Sequence, residues 1–331
     1  MLLARYVLTV ALFTGWLGTL LPGQPVSRYS FSAPHMGTTF RLVLYAPDSL
    51  TAARAAAAAW EEVARLNAIM SDYQRDSELN RLSATAGQEQ WVTVSPPLWE
   101  VLSYAQQISR RTRGAFDVTV GPLSRLWRRA FRQGELPDSA AMAQARAVTG
   151  YQYLWLDASG QRVQLAQAGM RLDLGGIAKG YTADRLLALL ADAHGLHQVL
   201  VDAGGDLRIG DPPPARAGWE VLLPGPDSQQ LVLANCAIAT SGDTYRYLER
   251  GGTRFSHIID PRSGWGMSQR RLVTVIAPTG MCADAWASAL SVVSLRRPGR
   301  WLRPRRLAPS FFRILGHPTL PSFLRIQKGR Y

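Results

Sequence analysis

The sequence predicts an α+β fold of mixed α/β content, with helices early and a strand-rich second half carrying flanking helices. Two observations lead there. An alanine-rich segment from Ala52 to Met70, and segments opening at Pro96 and Ser139, combine helix-forming composition with helix-start residues. From Tyr151 onward the apolar period shortens to that of strands, with turn residues between short β-branched runs. A chain of 331 residues that is 47% hydrophobic can bury a large core, which excludes a disordered chain.

The N-terminus, MLLARYVLTVALFTGWLGTLLPGQPVS, sets Arg5 before an uncharged, mostly apolar run from Tyr6 to Leu21 and then a Pro/Gly break. Residues 1–28 are expected to be a signal peptide or, because no clear A-x-A cleavage site follows, an uncleaved membrane anchor. No cysteine follows the run to serve as a lipoprotein attachment point. Phe40 to Tyr45 alternates like a strand, and the Ala52–Met70 helix offers a Glu61–Arg65 pair at i, i+4. A second helix is expected from Pro96 to Arg111, capped by Ser95, and a third from Ser139 to Val148, capped by Asp138 and stopped by Gly150. YQYLWLDASGQRVQLAQAGMRLDL then reads as two strands around a D-A-S-G turn and a third strand leading into the next helix, Lys179 to Ala193, which Gly195 stops. Further strands are expected in HQVLVDAGGDLRIG, WEVLLPG and QLVLANCAIATSG, and a hairpin turning at Gly251-Gly252. RLVTVIAP is the last clear strand and Met281 to Ser294 the last helix. Residues 30–295 contain no internal repeat or low-complexity linker and form one expected domain.

The formal charge of +13 is unevenly placed. Residues 296–331 hold nine Arg and Lys328, and no acid follows Asp284, so removing those ten charges leaves +3 on the other 295 residues. The body is near neutral and has no nucleic-acid footprint.

In RLDLGGIAKGY, residues 171–181, a lysine stands behind paired glycines. A P-loop needs a hydroxyl directly after the lysine, and here Gly180 follows Lys179; the G-x-G-x-x-G fingerprint is missing too. The fragment is either an anion site of another kind or a surface lysine in a Gly-rich turn. Asp284 and Ser288 lie four apart on one helix face, so both oxygens can reach one hard cation; a helix-start acid with a small residue one turn on has the same spacing. His257, in HIIDPRSG, is suited to accepting a hydroxyl proton or to tying down the Asp260-Pro261 turn. Alone, Met36 reads as core filler and Tyr73 as a half-buried tyrosine. Cys236 and Cys282 read as packing residues, with a disulfide as the alternative in an exported protein.

The ordered set HMGTTF (35–40), MSDYQRDSELNRL (70–82), GAFDVTVGPLSRLW (114–127), RLDLGGIAKGYTADR (171–185), VDAGGDLRIG (201–210), ATSGDTYRY (239–247), HIIDPRSG (257–264) and ADAWASAL (283–290) resembles the ApbE family across roughly residues 34–292. That family consists of magnesium-dependent FAD:protein FMN transferases of the bacterial cell envelope. The resemblance implies an ApbE-like fold, with Mg²⁺ held by the carbonyl of Gly176, by Asp284 and by Ser288, where threonine is usual. It implies FAD contacts from Met36, Tyr73, Ala115, Phe116, Asp117, Asp173, Lys179, His257 and Ile258. Lys179 would stabilise charge on the pyrophosphate, and His257 is the candidate base; Asp206 and Ser241 would shape loops around the pocket. The implied reaction moves FMN from FAD to a threonine of an acceptor flavoprotein, a membrane redox subunit or an exported protein, and releases AMP. Hydrolysis of FAD to FMN and AMP, and non-catalytic flavin storage, are the alternatives. Location would be the periplasm, free or anchored to the inner membrane.

The resemblance stops after Leu290, where SVVSLRRPGRWLRPRRLAPSFFRILGHPTLPSFLRIQKGRY replaces an expected acidic helix and strand. Its proline spacing fits neither a helix nor a half-buried strand. This segment is either a basic tail able to associate with anionic lipid or the product of a shifted reading frame.

Overall fold

The computed structural model describes residues 25–223, 229–242 and 247–293, together with the backbone of 311–315 and 323–325. In the chain's first half are β1 (Ser27–His35), β2 (Thr38–Ala46), α1 (Ser49–Met70), α2 (Glu78–Ala84), β3 (Val92–Thr93), α3 (Pro96–Thr112), α4 (Gly121–Gln133) and α5 (Ser139–Ala147). Then come β4 (Leu154–Asp157), β5 (Arg162–Leu165), α6 (Ala178–His194), β6 (Val199–Ala203), β7 (Leu207–Ile209), β8 (Trp219–Leu223) and β9 (Gln229–Leu233). The chain continues through β10 (Cys236–Gly242), β11 (Tyr247–Arg250), β12 (Thr253–Ser256), β13 (Leu272–Ala277), α7 (Gly280–Val292), β14 (Phe311–Leu315) and β15 (Phe323–Arg325).

The scaffold is an eight-stranded sheet in the order β1-β2-β6-β7-β10-β13-β14-β15, with every neighbouring pair antiparallel. Strand alternation divides the core between its two faces. Phe40, Leu42 and Leu44 of β2 pack with the alanines of α1 and with Leu186 and Leu190 of α6, whereas Val43 joins Ile209, Ile238 and the β8–β9 hairpin on the other side. On the helical side, Val273 and Val275 of β13 meet Ala283 and Trp286 of α7. The small side chains of α1, among them Ala52, Ala55, Ala56 and Ala59, are wholly or almost wholly buried.

Several expectations need correction. Arg65 pairs with Glu62 at 2.7 Å rather than with Glu61. Ser95 makes no side-chain cap; its amide instead donates to Glu78 Oε1 at 2.6 Å. Asp138 does cap α5, accepting from the Ala141 amide at 2.9 Å, and Gly195 ends α6 at φ 65°. No third strand runs into the Lys179 helix: Arg171 makes one isolated parallel bridge to Val120, because nearby amides are spent on Ser83 Oγ and the Val118 carbonyl. The expected leader overlaps β1, which opens at Ser27; residues 1–24 lie outside the described residues. Among the described residues no helix is long and apolar enough to cross a membrane. Neither cysteine forms a disulfide; Cys282 is buried and Cys236 half-buried, which favours the packing reading.

Part of the C-terminal segment also departs from expectation. Phe311–Leu315, in a stretch expected to hold no half-buried strand, pairs antiparallel with β13, and β15 pairs with it in turn. The aromatic and β-branched residues of FFRIL suit a strand, and pairing satisfies the edge of β13; proline spacing around the segment does not forbid it. The rest of 296–331 lies outside the described residues.

Candidate active site

A cavity of about 780 Å³ opens on the helical side of the sheet, within the size range of small-molecule sites. Its lining includes Met36, Tyr73, Ala115, Phe116, Asp117, Asp173, Gly176, Lys179, His257, Ile258, Asp284 and Ser288, so all twelve sequence-derived site residues meet on one wall system. Asp206 and Ser241 line it as well. Met36 reaches it from the two-residue turn of the β1–β2 hairpin, where Met36 and Gly37 have φ of 47° and 73°. A methionine in the left-handed region costs roughly 1–2 kcal/mol, a strain that points toward function. Its sulfur lies 3.6 Å from Thr182 Oγ1 of α6.

The polar end of the cavity is built where α6 and α7 cross. A Cβ on Gly180 would lie 2.1 Å from the Gly280 carbonyl oxygen, and one on Gly280 would lie 2.3 Å from the Gly180 oxygen. Only glycines permit this approach, which explains why no hydroxyl residue follows Lys179. Across the contact each helix caps the other. Asp284 of α7 accepts the Gly180 amide at 3.1 Å, while Asp184 of α6 accepts the Gly280 and Met281 amides at 2.7 and 2.9 Å. Helix-start amides favour such carboxylates. Arg208 supports Asp184 at 2.8 Å.

Lys179, on the first turn of α6, is ion-paired with buried Asp206. Burial alone would lower the Lys179 ammonium, but Asp206, Asp284 and Asp202 outweigh it and raise it. Burial and the neighbouring Asp206 push the Asp284 carboxyl up to about 7, against the pull of Lys179 and the Gly180 amide. Ser288 stands one turn beyond Asp284, and a Cβ on Gly176 would lie 2.6 Å from Ser288 Oγ, so the Gly176 main chain abuts that hydroxyl. A carboxylate, a hydroxyl one helical turn on and a glycine backbone against it, all on the cavity lining, are the all-oxygen donor types that fit Mg²⁺.

The opposite wall is held by carboxylates committed to the protein. Asp117 accepts from the Thr119 amide and hydroxyl at 2.8 and 2.7 Å and from the Tyr151 amide at 2.7 Å. Asp173 accepts from the Gly175 amide at 2.8 Å and, through its other oxygen, from Ser124 at 2.6 Å and Arg128 at 2.7 Å. With their carboxylates so engaged, these two residues shape the loops that face a ligand. Burial pushes Asp117 up to about 6 despite its hydrogen bonds. A carboxyl raised in the folded state stabilises the fold fully below its unfolded value and loses that contribution as pH rises through the folded value. The stability of wild type relative to Asp117→Asn is therefore expected to fall by roughly 3 kcal/mol from about pH 3 to about pH 7. Denaturant titrations of both proteins across that range check it; parallel pH profiles would refute it.

Sequence reasoning missed Arg128, Asp72 and the Asp184 cap. Arg128 lies on α4, a helix that Gly121-Pro122 and Gly134 could have announced as start and stop. Tyr73, expected to be half-buried, is 72% exposed at the cavity lip, with the Arg128 guanidinium 4.3 Å from its ring centroid.

Fold and cavity together define an α+β protein with a small-molecule cavity whose polar end gathers a lysine, carboxylates, a hydroxyl and a glycine main chain. The sequence matches the ApbE family over residues 36–310, running past Leu290, where the resemblance was expected to stop. It is 35% identical over 302 residues to the FAD:protein FMN transferase of Treponema pallidum, covering 84% of this chain and 82% of that protein. It is 32% identical over 292 residues to the FAD:protein FMN transferase of Klebsiella pneumoniae, covering 86% and 88%. The crystal structure of the apo flavinyl transferase ApbE of Pseudomonas stutzeri superposes with a TM-score of 0.72 at 31% identity, covering 81% of this chain and 85% of that one. The chain belongs to the ApbE family.

Proposed function

We propose that this chain is a Mg²⁺-dependent FAD:protein FMN transferase that attaches FMN to a threonine of an acceptor flavoprotein. The convergence of Lys179, Asp284, Ser288 and the Gly176 main chain at one end of the cavity carries this reading. In the proposed step the threonine oxygen bonds to the flavin-side phosphorus, the bond from that phosphorus to the bridging oxygen breaks, and AMP leaves with the bond's electrons. His257, which lines the same cavity, is the candidate acceptor for the hydroxyl proton.

Charge at the polar end supports a metal requirement. Lys179 stands with two buried carboxylates, Asp206 and Asp284, so the cluster carries a net negative charge once both are ionised. A pyrophosphate with two negative charges would meet repulsion there. Mg²⁺, when bound, would neutralise it and stabilise charge on the leaving phosphate. Lys179 has three ammonium donors and uses one on Asp206, leaving others for a phosphate oxygen. Ser288 supplies a ligand oxygen without the methyl that restricts a threonine rotamer.

Incubation with FAD, Mg²⁺ and a candidate acceptor tests the reading. Flavin fluorescence that migrates with the acceptor on a denaturing gel, lost in excess chelator, is the expected result. Free FMN and AMP without labelled acceptor would indicate hydrolysis, and unchanged bound FAD would indicate storage. By the same reading, export to the periplasm, free or anchored, places the enzyme beside exported or membrane-bound acceptors. Resequencing the gene past the codon for Leu290 tests the shifted-frame explanation of the C-terminal segment.

A further inference from the structure

Arg128 joins three separate chain segments at one wall of the cavity. From α4 its guanidinium reaches Asp72, in the loop after α1, and Asp173, in the loop before α6, at 2.7 Å from the latter. It also lies over the ring of Tyr73, Asp72's neighbour. The loop backbone is tied locally, with the Tyr73 and Gln74 amides donating to Ser71 Oγ at 3.2 and 3.1 Å. The Tyr73 ring, however, is 72% exposed, so core packing does not orient it. Arg128 is itself held in place, because two carboxylates on different segments fix its planar donors, a geometry that a lysine point charge cannot reproduce.

We propose that Arg128 is a positioning residue of the FAD site: clamped between Asp72 and Asp173, it fixes the Tyr73 ring as a stacking platform at the cavity lip. The residue acts through Tyr73 and through the Asp173 loop, and touches no reacting atom. The platform presents an aromatic face to one of the two flat ring systems of the ligand. Ordering that face before binding removes part of the entropic cost of ordering it on binding. The consequence falls on affinity rather than on the chemical step. This inference rests on the cavity being the FAD site.

The test measures FAD affinity by equilibrium dialysis with Mg²⁺, alongside KM for FAD and kcat for transfer. Arg128→Met is expected to raise Kd and KM about tenfold, the scale of a cation–π and stacking contact, with kcat within about threefold of wild type. Arg128→Lys is expected to fall between the two, since it keeps the charge but not the fork. Tyr73→Ala, at an exposed position, leaves the fold intact and is expected to weaken FAD to a similar degree. If Arg128→Met leaves two facing carboxylates that unfold the chain, the cycle of Arg128→Lys with Tyr73→Ala decides: losses smaller in combination than in sum support the clamp, and additive losses overturn it. An Arg128→Met protein that is less heat-stable but binds FAD within twofold of wild type also overturns it, since a purely structural tie would behave that way. Wild-type protein that binds no FAD would instead overturn the reading of the cavity.

Discussion

Lys179→Ala is expected to lower the transfer rate about 10²- to 10³-fold, roughly 3–4 kcal/mol of barrier, the usual effect of removing one electrostatic contributor from such a site. It should also destabilise the apo-protein, for a separate reason. Asp206 is 5% exposed and ion-paired with Lys179, so truncation leaves a buried carboxylate without its partner, a loss of roughly 3–5 kcal/mol. The two effects separate in Lys179→Ala/Asp206→Ala. Removing both charges takes away the unpaired carboxylate, so denaturant stability should recover most of the way toward wild type. On the proposed reading flavinylation should not recover, because the cation assigned to the phosphate is still gone. Stability and transfer measured on the single and double variants check this. Flavinylation restored in the double variant would mean that Lys179 serves only to neutralise Asp206.

That pairing marks the limit of what was legible in the sequence. Lys179, Asp284, Ser288 and Gly176 could be named because they sit in local fragments with a characteristic order, and the structure brings them to one cavity. Asp206 was placed near the pocket without a task, since nothing in AGGDLRIG says which cation its carboxylate meets across 27 residues of chain. Asp184 was missed for the same reason, as its cap on α7 spans 96 and 97 residues. Most strands and the helices α1, α3, α5, α6 and α7 were readable from periodicity and stop signals, which act locally. β1 and α4 were not. β1 follows directly on the Pro/Gly break and opens inside the stretch expected as leader, although Tyr29, Phe31 and Ala33 alternate with exposed Ser30, Ser32 and Pro34. In α4, four arginines conceal an apolar stripe of Leu123, Trp127 and Ala130 that is buried in the fold. Tyr73 shows the converse: an aromatic ring suggests burial, and here it stands in solvent over an arginine.

Gly180→Ala is expected to reverse the usual sign of its substitution. In a helix interior, alanine for glycine normally stabilises by about 1 kcal/mol. Here the new Cβ would lie 2.1 Å from the Gly280 oxygen and 2.8 Å from Asp284 Cβ, and the first of these is backbone that cannot rotate away. The helices must separate, and overpacking of this kind costs about 1–3 kcal/mol. Separation also stretches the Asp284 bond to the Gly180 amide and the two Asp184 bonds to α7, each worth about 1 kcal/mol. A net loss of roughly 2–4 kcal/mol is therefore expected in denaturant titrations. Gly280→Ala should behave alike, since its Cβ meets the Gly180 backbone at 2.3 Å. The functional consequence follows from geometry. Asp284 and Ser288 ride on α7 and Gly176 on the loop before α6, so any widening of this crossing spreads the three oxygens apart. Mg²⁺ titration of flavin transfer in Gly180→Ala should show a raised half-saturation concentration even at temperatures where the variant is fully folded. A variant as stable as wild type, with unchanged metal dependence, would mean that the two helices do not need their backbone contact to assemble the oxygen cluster.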